Sequence, residues 1–188
     1  ILRLIPLIVD SILIDDDRII SLNPYNLDFA ANYQDIVFGN SIGKPLSLGL
    51  TFSHDGTEHT FITEIIYSSD TLKIIPVSFW YKVDNEELFF RNLMGEEDIF
   101  KLNDEIEIKI PFKGLLPNIE KINDSTLSKK IGALEILRKE LASNYLSYIG
   151  PFRRKMERVY AKKFELTTNV GIEGEFTPQI LFNQDAKI

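Results

Sequence analysis

This 188-residue sequence contains no cysteine, so it holds neither a disulfide framework nor a thiolate metal site. That fits a reducing cytoplasm, the compartment expected for it. A surplus of basic residues is also missing. Against 28 Asp and Glu stand 21 Lys and Arg, a formal charge of −7. A broadly basic nucleic-acid surface is thereby excluded, because phosphate contacts need clustered cations; a local basic groove is not. Long hydrophobic runs are lacking as well. The apolar stretch over residues 4–14 is broken by Asp10 and followed by Asp15, Asp16 and Asp17. It falls short of the ~20 residues that span a bilayer. With no basic leader and no small-residue cleavage site, no targeting segment and no membrane partner are expected.

What is present is ordinary in bulk, 44% hydrophobic and 26% charged, enough for the core of one domain or two small ones. Thirteen phenylalanines and seven tyrosines favour a β-rich or mixed interior. At the start, Leu4, Ile5, Ile8 and Ile12 share helical spacing and predict a helix through residue 14, with Asp10 and Ser11 interrupting its apolar surface. No Ser, Thr, Asp or Asn precedes the run to cap it, so residues 1–14 read as the tail of a longer helix.

From Leu46 the period changes to two. Leu46, Leu48, Leu50 and Phe52 alternate with Ser47, Gly49, Thr51 and Ser53, the pattern of a half-buried strand. Asp55-Gly56 is a hairpin signal, with the return strand over 60–67 and another turn at Ser68, Ser69 and Asp70. A strand over 72–83 is interrupted by Pro76, which implies an edge or a bulge. Asp84-Asn85 turns again before Leu88, Phe89 and Phe90. Ile106, Ile108 and Ile110 alternate with charged residues in a last strand. Strands in succession without helices between them predict an antiparallel β meander over 46–111.

Residues 111–124, with Gly114 and Pro117, read as a connector. Ser125 or Thr126 caps a helix over 125–144, whose Leu127, Ile131, Leu134, Leu137 (or Ile136) and Leu141 share a face. A strand over 145–149 follows, then a basic loop. Thr177-Pro178 caps the start of a further helix. The fold class expected is α/β, an antiparallel meander with flanking helices.

Few motifs carry chemistry. Arg153 and Arg154 follow Gly150-Pro151-Phe152 at the end of the 145–149 strand, where planar guanidinium groups can meet a phosphate bidentately. The competing reading is a solvated turn that pairs with Glu157 and Glu165. Asp15 to Asp17 lack the ligand spacing of a cation loop and read as a solvated turn. His54 and His59 flank the Asp-Gly hairpin with no third metal ligand nearby, and read as turn residues. Glu173 and Glu175 read as a charged loop. The phosphate-cradling G-x-x-x-x-G-K-[ST], a Gly-x-Ser-x-Gly and a His-Glu-x-x-His are all missing from the 188 residues.

Four segments together resemble the ABC-like predicted ATPases of the AAA class. Residues 145–154, Tyr-Leu-Ser-Tyr-Ile-Gly-Pro-Phe-Arg-Arg, resemble that family's Y-x-G-P-x-R strand end. Residues 170–175, Val-Gly-Ile-Glu-Gly-Glu, resemble its V-G-x-x-G-E. Residues 27–39 resemble the segment leading into D-x-V-F-G, and residues 1–8 resemble the helix that follows the family's phosphate loop. The resemblance implies that residues 1–188 are the first lobe of an ATPase head, beginning just past that loop. It implies ATP and magnesium as cofactors, a homodimer of heads, and a nuclease or nucleic acid as partner, as in Septu-like or retron-linked anti-phage ATPases. It further implies that Gln34 helps to hold the metal ion and attacking water, and that Arg153 and Arg154 face the nucleotide or the partner head. The alternative is a non-catalytic β-rich protein-binding module, since the 188 residues contain no recognisable catalytic set.

Overall fold

A computed structural model of the protein describes residues 4–16, 18–24, 30–37, 39, 41–93, 98–143 and 177. The chain divides into two compact units, Ile1–Glu140 and Leu141–Ile188, and the sheet and core belong to the first. Six strands form one antiparallel sheet in sequence order: β1 (Leu46–His54), β2 (Thr57–Ser68), β3 (Lys73–Val83), β4 (Glu86–Asn92), β5 (Ile99–Leu102) and β6 (Ile106–Lys109). Helix α1 (Leu4–Ile12) precedes the sheet. A two-stranded sheet, β7 (Phe112–Lys113) with β8 (Leu116–Pro117), follows it, and then α2 (Ser125–Lys130) and α3 (Ala133–Ser143). The fold is mixed α/β and mostly β, the antiparallel meander with flanking helices that the alternation predicts.

Short turns set the meander. Asp55 and Gly56 join β1 to β2 at φ +50° and +77°, the left-handed pair of a two-residue hairpin. Asp84 (φ +51°) turns β3 into β4, and Asn103 and Asp104 (φ +49° and +63°) turn β5 into β6. Asp and Asn tolerate this region because their short side chains bond the local backbone. Pro76 sits at a bulge: Ile65 faces Pro76 while Glu64 faces Ser78, leaving Val77 unpaired. The β3–β4 ladder starts only at Ser78↔Arg91, so no bond to β4 is lost at the proline.

One face of the sheet carries the core. Phe61, Phe79, Phe90 and Phe100 are fully buried there. Phe112 of β7 meets Phe79 edge-on at 5.9 Å and Phe100 at 5.4 Å, so the small sheet closes the aromatic layer. Residues 111–124, expected as a connector, do join the meander to α2, and they add to the core on the way. Leu115 and Leu116 are fully buried, the Leu115 amide donates to the Ser11 carbonyl (3.1 Å), and Thr63 Oγ1 donates to the Leu115 carbonyl (2.6 Å). Backbone turned into a core must be paired in this way.

The helices depart from expectation in three respects. In α1 the buried side is Pro6, Leu7, Val9, Ser11 and Ile12, while Leu4 and Ile5 are exposed. Ser11 does not interrupt that surface: its Oγ accepts the Ser21 amide at 2.9 Å, and Ser21 Oγ donates to Asp10 at 2.5 Å. The helix expected over 125–144 is two. It breaks at Ile131-Gly132, where Gly132 bonds back to Lys129 (3.3 Å) and Leu134 to Ile131 (3.0 Å) in i→i−3 fashion. Glycine costs a helix interior about 1 kcal/mol relative to alanine, which makes this the weak point. The cap is Asp124, whose Oδ1 accepts from the amides of Thr126 (2.8 Å) and Leu127 (3.0 Å), not Ser125 or Thr126. The apolar face survives the break, because Leu127, Ile131, Leu134 and Leu137 are all buried.

Among the described residues no helix is long and apolar enough to cross a membrane. The strand expected at 145–149, Gly150-Pro151, Arg153, Arg154, Glu173 and Glu175 lie outside the described residues; Thr177 is helical.

Candidate functional site

Gln34 stands on a 3₁₀ turn, Tyr33–Ile36, built by its neighbours. Asn32 Oδ1 accepts the Gln34 amide at 3.1 Å, while Asp35 Oδ2 accepts the amides of Ala31 and Asn32, each at 3.0 Å. This is a capping box, each side chain holding the other's backbone. Tyr33 anchors the turn from beneath. Its ring is buried and lies 6.5 Å from the Tyr67 ring, and its phenol sits between the carbonyls of Ile65 (2.9 Å) and Lys44 (3.0 Å). Burial holds the Tyr33 phenol above its ordinary pKa, so it stays a neutral donor. Gln34 itself is exposed. The result is an amide presented to solvent from a turn fixed at both ends. An amide in such a place orients a ligand; it does not transfer a proton.

The second candidate surface is the outer face of the sheet. Register places Ile62 beside Trp80 and Trp80 beside Phe89, an apolar row across β2, β3 and β4. Charges border it in pairs. Lys82 and Glu87 meet at 3.2 Å on one side. On the other, Glu64 accepts from Ser78 (2.6 Å) and Ser47 (3.1 Å), and the Arg91 guanidinium lies 5.4 Å from the Phe89 ring centre while pairing with Asp104 at 3.4 Å. At β1 the row ends in Gly49, opposite Ile62, above a shallow open depression lined by Ser47, Thr51 and Thr60. An apolar strip rimmed by satisfied charges suits contact with another protein surface better than catalysis.

The remaining titratable candidates are structural. His59 is not a turn residue: it is buried, stacks on Phe52 at 5.1 Å, and makes a 2.7 Å hydrogen bond to the Tyr81 hydroxyl. Burial, with the neighbouring His54, holds His59 below its ordinary pKa, and burial pushes Tyr81 up to about 12. His54 lies near Asp55 instead (3.4 Å). Asp15 and Asp16 are exposed, as a solvated turn requires. Lys113 beside Asp15 and Arg18 beside Asp16 hold both carboxyls below the usual range. Among the described residues no three His, Cys, Asp or Glu side chains come together to hold a metal.

The anchoring of Gln34 was readable in part, because Asn32-x-x-Asp35 has the spacing of a capping box. The row Ile62, Trp80 and Phe89 was not, since it exists only once three strands are in register. Comparison with protein-family models, characterised proteins and solved structures finds no match.

Proposed function

We propose that this chain is the first lobe of the head of an ABC-like ATPase. In this reading the intact protein binds and hydrolyses ATP with magnesium, and two heads associate. It works with a nuclease or on nucleic acid, as anti-phage ATPases do. The observation that carries the reading is Gln34: an exposed amide on a turn that the Asn32–Asp35 caps and the buried Tyr33 hold rigid. Such a residue can orient a metal-bound water, since the backbone that carries it is held before the ligand arrives. Arg153 and Arg154 supply the cations. A charge-assisted contact to phosphate contributes about 1.5–3 kcal/mol when shielded from water, against roughly 0–1 kcal/mol for an exposed ion pair.

The reading requires a G-x-x-x-x-G-K-[ST] loop encoded immediately ahead of Ile1. Calorimetric titration of the intact protein with ATP and magnesium is expected to show binding, with phosphate release on incubation. Gln34→Ala is expected to slow turnover at least about tenfold, the scale of a lost positioning contact, with an unchanged melting temperature. At least one of Arg153→Ala and Arg154→Ala is expected to weaken turnover or head association. A missing loop, no heat of binding, or wild-type turnover and association in all three variants removes the assignment.

The Ile62–Trp80–Phe89 row favours a second reading, a non-catalytic protein-binding module. It expects no nucleotide binding and a shift in the emission of Trp80, the single tryptophan, when the partner is added.

A further inference from the structure

We propose that the outer edge of β1 is a strand-addition site whose occupant is a second copy of this chain, joined β1 to β1 in antiparallel register. The proposal does not rest on the ATPase reading. Among the described residues β1 pairs only with β2 and β6 only with β5, so the sheet has two edges. They are guarded differently. A proline flanks each edge strand, Pro45 before β1 and Pro111 after β6, but β6 itself carries Glu107 and Lys109, and charge within a strand keeps an edge from pairing. β1 has nine residues, Leu-Ser-Leu-Gly-Leu-Thr-Phe-Ser-His, with no carboxylate, lysine, arginine or proline among them.

The direction of its bonds follows from the hairpin. A two-residue turn closes on a doubly bonded pair, here His54↔Thr57. Every second pair back from it (Phe52↔His59, Leu50↔Phe61, Leu48↔Thr63, Leu46↔Ile65) is doubly bonded too. The amides and carbonyls of Ser47, Gly49, Thr51 and Ser53 therefore point away from β2. Their side chains lie on the outer face and are small and uncharged, so a strand can approach without desolvating a charge. On the inner face Leu48 is buried, whereas Leu46, Leu50 and Phe52 are half-buried. The core is incompletely covered at this edge.

A second copy satisfies both layers. With the twofold axis at Leu50, Ser47 pairs with the other copy's Ser53 and Gly49 with its Thr51. On the inner face Leu50 meets its own counterpart and Leu48 meets Phe52, apolar against apolar. No like charges face each other, which matters in a chain of net charge −7.

Sedimentation equilibrium on the 188-residue protein is expected to show a concentration-dependent dimer. Thr51→Pro removes an outward amide and no backbone bond to β2, only the exposed side-chain bond of Thr51 to Thr60 (3.0 Å), and Ser53→Lys places a charge on the edge. Each is expected to raise the dimer Kd at least about tenfold. Ile106→Lys, on the guarded edge, is expected to leave it unchanged. Circular dichroism spectra of the dilute variants should match the wild type; if Thr51→Pro does not fold, Ser53→Lys decides alone. A monomer at every concentration, a dimer that survives the edge variants, or equal loss in Ile106→Lys overturns the proposal.

Discussion

Arg138 donates from Nε to the carbonyl oxygen of Ile12 at 3.1 Å, across 126 residues of chain. The same guanidinium donates to the Lys113 carbonyl at 2.8 Å and to Glu135 at 3.0 Å. Ile12 is the last residue of α1, where helix carbonyls lack intrahelical partners and a cation suits the helix dipole. One side chain thus fastens α1 and β7 to α3. Arg138→Ala is expected to cost about 2–4 kcal/mol, because two part-buried carbonyls lose a charged donor. Arg138→Lys should recover less than half, since an ammonium does not span three acceptors. Urea unfolding measures both, and a loss for Arg138→Ala below about 1 kcal/mol would refute the fastening role.

Gly114 and Gly56 are both left-handed, at φ +61° and +77°, but only at Gly114 would a Cβ collide with backbone, the Ser11 carbonyl. Gly56→Ala is expected to cost about 1 kcal/mol, the conformational penalty alone. Gly114→Ala should cost at least twice that, roughly 2–4 kcal/mol, because the β7–β8 turn must leave α1. Equal losses in thermal melts would mean that the close approach is not a stabilising contact.

The helix cap separates two assignments cleanly. Asp124→Ala is expected to destabilise the protein by about 1 kcal/mol, whereas Ser125→Ala and Thr126→Ala should change it by no more than about 0.5 kcal/mol. The reverse order would restore Ser125 or Thr126 as the cap.

The His59–Tyr81 pair gives stability a pH dependence at both ends. An unfolded chain releases the tyrosine proton near pH 10, while folded Tyr81 keeps it to about 12. Stability therefore falls as pH rises through that window, by about 1–3 kcal/mol. On the acid side, an unfolded histidine binds its proton near pH 6.5, above the folded site, so stability also falls as pH drops below 6.5. Denaturant titrations of wild type and Tyr81→Phe across this range test the alkaline branch, which should be smaller in the variant, the part that stays coming from Tyr33, also held above its ordinary pKa by burial.

The meander was legible because its cause is local. Alternation from Leu46 to Phe52 and the Asp55-Gly56 turn each lie within a few residues, and the structure follows them closely. β5 was not legible: Ile99–Leu102 is too short to show a period. The break in the 125–144 helix was half legible. Gly132 is a weak helix former, but an apolar face that continues from Leu127 through Leu137 hides the interruption. That the connector over 111–124 holds two short strands and core residues was not legible, because Gly114 and Pro117 are turn residues wherever they occur, on a surface or in a core. For the candidate site, the spacing of Asn32 and Asp35 announces the rigid turn, while nothing local announces what lies beneath it.

The sequence by itself determined the longer strands of the meander and their first turns, and that the chain is acidic and free of thiol chemistry, since these follow from residue type and short spacing. Only the tertiary structure decided that Ser11, Thr63 and Leu115 share bonds in the core and that Arg138 closes the end of α1. It also decided that Ile62, Trp80 and Phe89 align on the outer face and that β1 is the less guarded edge. Each of these depends on register or on contacts between residues far apart in the chain. A linear pattern carries no record of such contacts, because the polar groups involved look the same whether water or a distant backbone satisfies them.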